Sequence, residues 1–454
     1  MHSLTADSTI KAEASRIAAL AAPIALAQFG ITALGLVDVA VLGHASPVEL
    51  GGAAIGRSIA FVAVALGLGA TNALEPLAAQ AVGAREPHGA WRAFVATLAA
   101  CAIVWVPCAV LAYASTWALV PLGIEPDLVP VARAFLVPQL PGMLLFSFFL
   151  AAKVYLQAHK RTGPSLLAAV IANVINFVVC NLLVRGDESL VALGLTPLGL
   201  PRFGALGAGL ASTIASLVLA GWVFVAAYRI RPPPSADQVE PLPIFKVLRL
   251  GMPVGLQVLA EIGVFSFVSV IAGRLGKVPV SAHQIAIGLA SFTFMGALGI
   301  GGATAVRVGH AVGEGRSPRA TGLVGIALGA VFMSTCALGF LVFRHVLVVV
   351  FTEDPATAEL AASLLGVAAA FQLFDGVQAV AAGALRGAGD MRFPFVVNVA
   401  AHWLVGLPLS LYLGFVLGWG ARGLWWGLMA GLAVVAVCLL LRFASLSKGP
   451  IARV

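Results

Sequence analysis

The sequence predicts an all-α membrane protein of twelve transmembrane helices, arranged as two pseudo-symmetric six-helix lobes. Three observations carry that prediction: an extreme apolar composition, apolar runs recurring along nearly the whole chain, and self-similarity at a spacing of 230 residues that carries Pro23 onto Pro253. Hydrophobic residues make up 60% of the chain and charged residues only 10%, with a mean hydropathy of +1.02. A water-soluble chain carries about 25% charged residues, so lipid is the solvent here and helices are the elements.

Apolar runs between charged or Pro-rich breaks give spans at residues 16–43, 51–82, 92–114, 130–156, 164–184 and 204–228 in the first half. In the second half they fall at 247–273, 280–310, 320–349, 357–385, 393–417 and 420–441. A bilayer needs about 20 residues per helix, so the longer runs imply tilt or extension past the headgroups. The stretch RIRPPPSADQVEPLP at 229–243 is the polar, Pro-rich break between the sixth and seventh spans. It divides the chain into an N lobe at 1–228, a cytoplasmic linker at 229–245 and a C lobe at 246–454. The polar start MHSLTADSTIKAEASR lacks the short apolar core and cleavage site of a signal peptide, so the first helix is expected to be retained.

Most of the 27 Lys and Arg residues fall on the N-terminal side of this topology, with Arg57, Arg133, Arg185, Arg202, Arg274, Lys277, Arg344 and Arg422 opposite. The positive-inside rule then places both termini in the cytoplasm and the chain as a multi-pass protein of the inner (plasma) membrane. Topology accounts for most of the net charge of +8, and no soluble basic module exists to bind nucleic acid. The 50 glycines exceed the usual ~7%, and many, such as Gly67, Gly69 and those of GALGIGG at 296–302, lie inside apolar runs where they allow close helix approach. The five cysteines sit in apolar runs without metal spacing and read as small buried hydrophobes.

The 230-residue shift also aligns Gly43 with Gly273, Gly69 with Gly299, and AVG at 81–83 with AVG at 311–313. Both halves start on the same side, so the repeats are parallel, an arrangement in which secondary transporters bind at the repeat interface and rock. Duplication for folding alone is the competing explanation, since structure by itself does not establish transport.

Four acids lie far from a predicted loop: Asp38, Glu75, Glu261 and Asp375. A charge at helix centre costs roughly 2.5–3.5 kcal/mol on insertion scales, so an unneeded one is selected against. Each can carry a proton, or a hard cation with neighbouring oxygens, and each can instead be a neutral acid bonded to the next helix. Glu75, followed by Pro76 near the helix end, fits the structural role better; Glu261 and Asp375 fit the functional one. The repeat places Ile31 opposite Glu261 and Val268 opposite Asp38, so the lobes present their first-helix acids seven residues apart in register. That is two turns, about 10.5 Å. Asn173 and Asn176 either line a cavity or bond across helices. His283 and Gln284 read as structural or interfacial, and Arg307 with His310 marks the cytoplasmic end of the eighth span. With no Walker loop and no Cys/His metal cluster, transport energy is expected from an ion gradient, with no cofactor.

These residues carry a resemblance. PVGLQVLAEIGVFSFVSVIAG with SAHQIAIGLASFTFMGALGIGGATAVRVGHAVGEG resembles helices 7 and 8 of the MATE (multidrug and toxic compound extrusion) family. FQLFDGVQAVAAGALRGAGDMRFPF resembles its helix 10, and GLVDVAVLGH with ALEPLAAQAVGA its helices 1 and 2. The likeness spans essentially the whole chain and points to the NorM-like branch. It implies a V of two lobes that exports lipophilic or cationic drugs in exchange for Na+ or H+, with membrane lipid as the surroundings and a monomer as the working state. By the same resemblance, Asp38 is similar to the N-lobe acid tied to proton coupling and drug release. Glu261 and Asp375 are similar to the C-lobe carboxylates of the cation site, as metal ligands if Na+ is used, with Gln257 and Gln378 as polar neighbours. Phe371 stands where NorM-like proteins often have a tyrosine, which removes a cation contact. The helix 5 acid of many members is absent, with Cys180 and Asn181 nearby. A lipid-linked precursor flippase of related fold is the alternative, disfavoured because Lys and Arg cluster at loops.

Overall fold

Twelve helices among the described residues are long and apolar enough to cross a membrane. The computed structural model describes residues 2–192, 194, 196–233 and 240–454, so part of the expected linker, 234–239, lies outside the described residues. We label the helices α1 (His2–Gly43), α2 (Pro47–Gly83), α3 (Pro87–Ser115), α4 (Leu128–Ala158), α5 (Gly163–Arg185) and α6 (Gly204–Arg229). The second half contributes α7 (Ile244–Arg274), α8 (Lys277–Gly313), α9 (Arg319–Val349), α10 (Pro355–Gly387), α11 (Arg392–Val416) and α12 (Gly420–Leu446). The expected spans match these helices closely, except that α1 runs on through the polar N-terminal stretch, which hydropathy cannot register. A short helix, Asp187–Ala192, was not foreseen between α5 and α6.

By their internal contacts the residues group into two units, Ala27–Leu74 with Pro87–Gly255, and Met1–Leu26 with Glu75–Glu86 and Leu256–Val454. The breaks inside α1, α2 and α7 fall within a few residues of Pro23, Pro76 and Pro253. A proline inside a helix removes one backbone hydrogen bond and clashes with the preceding turn, and this lets a helix change direction and packing partner.

The repeat is visible inside the units. A methyl placed on Gly69 of α2 would lie 2.5 Å from Gly251 O of α7, and one on Gly299 of α8 would lie 2.9 Å from Ala21 O of α1. Each contact is the image of the other under the 230-residue shift. Gly83 and Gly313, the ends of the two AVG triplets, meet each other's helices: a methyl on Gly83 would fall 2.4 Å from His310 O, and one on Gly313 2.1 Å from Gln80 O. Two of the aligned glycine pairs, Gly69 with Gly299 and Gly83 with Gly313, are therefore points of close helix approach, while Gly43 and Gly273 are not.

In the unit that holds most of the second half, α10 packs on α8, α9 and α12 and is lined with buried alanines and glycines. Its neighbour α11 is interrupted by two wide π turns, Ala401–Gly406 and Tyr412–Val416, with Pro408 between them. The first wide turn gives the Pro408 ring room against the preceding carbonyls, and such turns recur at functional sites. In the other unit α4 and α5 both pack on α6. All five cysteines are free.

Candidate functional site

One acid cluster is built from α7, α10 and α11. Glu261 sits on α7, where the apolar register around it faces the core through Val264 and Val268, both fully buried. Its Oε1 accepts two hydrogen bonds, from Gln378 Nε2 of α10 at 2.8 Å and from Asn398 Nδ2 of α11 at 3.1 Å. Asp375, one turn before Gln378, is buried, and Glu261 is half-buried. Gln257 lies one turn before Glu261 on α7 and is also buried.

The two carboxamides are half used. Each gives its NH2 to the same carboxylate oxygen, while Gln378 Oε1 and Asn398 Oδ1 are buried and accept no hydrogen bond. Both amide oxygens therefore keep capacity to accept a hydrogen bond or a cation. A carboxamide can turn over, offering NH2 to an ionised acid or its oxygen to a cation or a protonated acid. Two carboxylates and two amide oxygens form the donor set that a hard cation takes. Phe371, one turn before Asp375, packs edge-on against Trp425 and Phe265, with ring centroids 5.8 and 6.3 Å apart, and adds no oxygen. No group of three or more His, Cys, Asp or Glu side chains gathers among the described residues.

The second acid is Asp38 on α1, only 3% exposed. Asn176 Nδ2 of α5 donates to its Oδ1 at 2.9 Å and Ser212 Oγ of α6 donates to its Oδ2 at 2.7 Å. Arg57 of α2 brings Nη2 to 3.5 Å from Oδ2. Asn173 turns away from this group and donates to Gly30 O and Ala169 O, both at 2.7 Å, so it ties α5 to α1.

Other polar residues found structural partners. Glu75 pairs with Arg386 at 2.8 Å. Arg307 forms a two-pronged pair with Glu13, at 2.9 and 2.6 Å. The His283 ring is held at both nitrogens, by Ser269 Oγ at 2.9 Å and by Trp425 Nε1, which donates to Nδ1 at 3.1 Å. Three site residues escaped sequence reasoning: Asn398, Ser212 and the pairing role of Arg57. Asn398 is the lone amide in the apolar run FVVNVAAHW, a usable signal. Ser212 carries none, because serine is common in apolar helices.

Twelve apolar helices built from two repeats, with ionisable side chains inside the helices of each, are the architecture of a secondary transporter. Residues 23–182 and 253–412 each match the MatE family model, and the two matches are offset by the same 230 residues as the repeat. The chain is 35% identical over 449 residues to the multidrug resistance protein NorM of Burkholderia vietnamiensis, covering 94% of this chain and 92% of that protein. It is 36% identical over 447 residues to a protein of Deinococcus radiodurans described as a "Probable multidrug resistance protein NorM", covering 95% of each. Its fold is similar to the crystal structure of the eukaryotic MATE transporter AtDTX14, with a TM-score of 0.83 and 21% identity over 97% of this chain and 98% of that one. It is likewise similar to the Vibrio cholerae MATE transporter VcmN in the bent form, with a TM-score of 0.84 and 16% identity over 97% and 98%. The chain belongs to the MATE transporter family, in its NorM-like branch. It is a membrane transporter and not an enzyme.

Proposed function

We propose that the chain is a cation-coupled antiporter that exports lipophilic or cationic small molecules across the inner membrane, with Glu261 and Asp375 carrying the coupling ion, Na+ or H+. The observation that carries this reading is the convergence of two amide side chains, Gln378 and Asn398, on one oxygen of Glu261, one turn from the buried Asp375. Such a group gains stability from a cation or a proton that it cannot find within its own side chains. Coupling follows if ion binding and drug binding favour opposite states, since a ligand shifts an equilibrium only by its differential affinity. The names of the 35% and 36% identical relatives support multidrug export as the cargo class. The positive-inside pattern supports cytoplasmic termini, and a monomer holds every group invoked.

The alternative of a lipid-linked precursor flippase asks for cations free to hold phosphate. Three cations inside the spans, Arg57, Lys153 and Arg307, are instead engaged by Asp38, Gln28 and Glu13. The test is ethidium uptake into inside-out proteoliposomes, with a Na+ gradient or a pH gradient imposed separately. Glu261→Gln and Asp375→Asn should each abolish gradient-driven uptake, and the gradient that suffices alone names the ion. Transport at the unmodified rate in both variants removes the ion from this cluster.

A further inference from the structure

We propose that Arg57 is a tethered counter-cation for Asp38, a positioning residue that sets how readily this acid accepts a proton or an organic cation. The proposal extends the antiport reading to the N-terminal half and rests on it for its purpose, though not for its geometry.

The groups that face Asp38 come from three helices. From α5 come Asn176 and the thiol of Cys180, from α6 Ser212 and from α2 Arg57. Among these four Arg57 is the full charge. Its guanidinium is held in place by more than the acid: Nη1 donates to Gly35 O at 2.5 Å, three residues before Asp38 on the same helix, and the group sits 5.7 Å from the centre of the Phe135 ring. The 3.5 Å approach to Oδ2 is an ion pair and not a hydrogen bond, and Oδ2 already accepts from Ser212. The guanidinium therefore supplies charge beside an oxygen whose bonding is met by a neutral donor. A proton or an organic cation arriving at Oδ2 has to share that oxygen with a cation already there.

The repeat sharpens the point. Under the 230-residue shift Asp38 falls on Val268 and Arg57 on Ile287, so both members of the pair are missing from the other half together. Conversely Glu261 and Asp375 fall back on Ile31 and Leu145. The half with an acid pair has no described counter-cation within it, and the half with a single acid carries its own.

Loading the N-half acid is then an exchange. The carboxyl gains a proton or a cargo cation, and the guanidinium keeps Gly35 and Phe135 while losing its charge partner. An opposite charge at this range changes a carboxyl's proton affinity by about tenfold or more.

The experiment is pH-difference infrared spectroscopy of the full chain in lipid nanodiscs, with the Asp38 carboxyl band identified by its loss in Asp38→Asn. In Arg57→Gln the pH midpoint of that band should rise by about one unit or more, a tenfold gain in proton affinity. Arg57→Lys, which restores a charge, should bring it at least part of the way back. Arg57→Met keeps the aliphatic stem over Phe135 and serves where Arg57→Gln fails to fold. A midpoint within about 0.3 units of the unmodified chain in the neutral variants overturns the proposal, as does an Asp38 band that titrates in none of the proteins. Because the measurement needs neither cargo nor gradient, its failure is separate from a failure of the antiport reading, which the Glu261 and Asp375 variants decide.

Discussion

Replacing Gly83 or Gly313 with alanine tests whether the repeat-related glycines are contact points and not compositional accident. Ordinary van der Waals contact begins near 3.4 Å, and the added methyls would lie 2.4 Å from His310 O and 2.1 Å from Gln80 O, so the ends of α2 and α8 have to part by about 1 Å. The obstacles are backbone atoms, which no rotamer change moves aside. Overpacking of this kind costs about 1–3 kcal/mol, against a helix-propensity gain for alanine of at most about 1 kcal/mol. Gly288 in α8 and Gly339 in α9 are matched controls, because nothing lies within 4 Å of a methyl placed on either. Their alanine variants should be neutral or more stable by about 0.5–1 kcal/mol. Unfolding of the purified proteins in one lipid or detergent, by heat or by SDS titration, reads the difference. The double variant adds a second test: one parting of the helices relieves both clashes, so its cost should fall short of the sum of the single costs by about 0.5 kcal/mol or more. Gly83→Ala and Gly313→Ala proteins as stable as the Gly288→Ala control would refute the contact reasoning.

Two further outcomes follow from the described geometry. Asn398→Ala removes one hydrogen bond to the Glu261 carboxylate, worth about 1.5–3 kcal/mol for a charged acceptor, and should move the half-saturating ion concentration of transport roughly ten- to a hundredfold. A change below twofold would show that this amide does not serve the ion. Asp187, outside the membrane spans, accepts backbone hydrogen bonds from Leu200, Leu198 and Gly199, which hold its carboxyl below the usual carboxylate range. A depressed native value means stabilisation that is fully present above the ordinary carboxylate value near 3.9 and is lost as pH falls through the lower native value. Amide exchange at residues 198–200 should therefore accelerate relative to the intrinsic trend as pH falls below about 4, and Asp187→Asn should exchange fast throughout without that acid step.

The legibility of the chain followed the physics of its solvent. In lipid every backbone polar group must be bonded within its own segment, so apolar length gave the helices directly and the helix ends fell near the charged breaks. What hydropathy missed was polar but helical, as at the start of α1, or apolar but not α-helical, as in the wide turns of α11. The acids Asp38, Glu261 and Asp375 stood out because isolated charges in apolar runs are costly. Their partners did not stand out. Asn398 comes to Glu261 from a helix 137 positions away in sequence, and Ser212 comes to Asp38 from 174 away. No local pattern encodes such a meeting. Arg57 was read as a topology marker, and only the fold shows that its guanidinium turns toward an acid.

The two halves share one scaffold and treat their acids in opposite ways. Beside Asp38 the chain supplies two neutral donors and a guanidinium, so the ionised carboxyl is already compensated. Beside Glu261 it supplies a second carboxyl and two amides. If both of those acids are ionised, two like charges sit among neutral donors, with Asp375 buried and Glu261 half-buried, which is an unfavourable arrangement. Relief then has to come from solution, as a proton on one acid or as a metal cation bridging the two. In this reading the acid of the first half carries its own counter-charge and the acids of the second half carry none among the described residues, while Asn176 Oδ1 beside Asp38 is as unused as Gln378 Oε1 and Asn398 Oδ1. The Na+ and H+ choices differ in what the amides do. A proton held on one acid would call on at most one amide oxygen as acceptor, while a Na+ held by the two acids would call on both amide oxygens as further ligands. Replacing both amides by leucine, in Gln378→Leu/Asn398→Leu, should therefore cripple a Na+-driven cycle more than an H+-driven one.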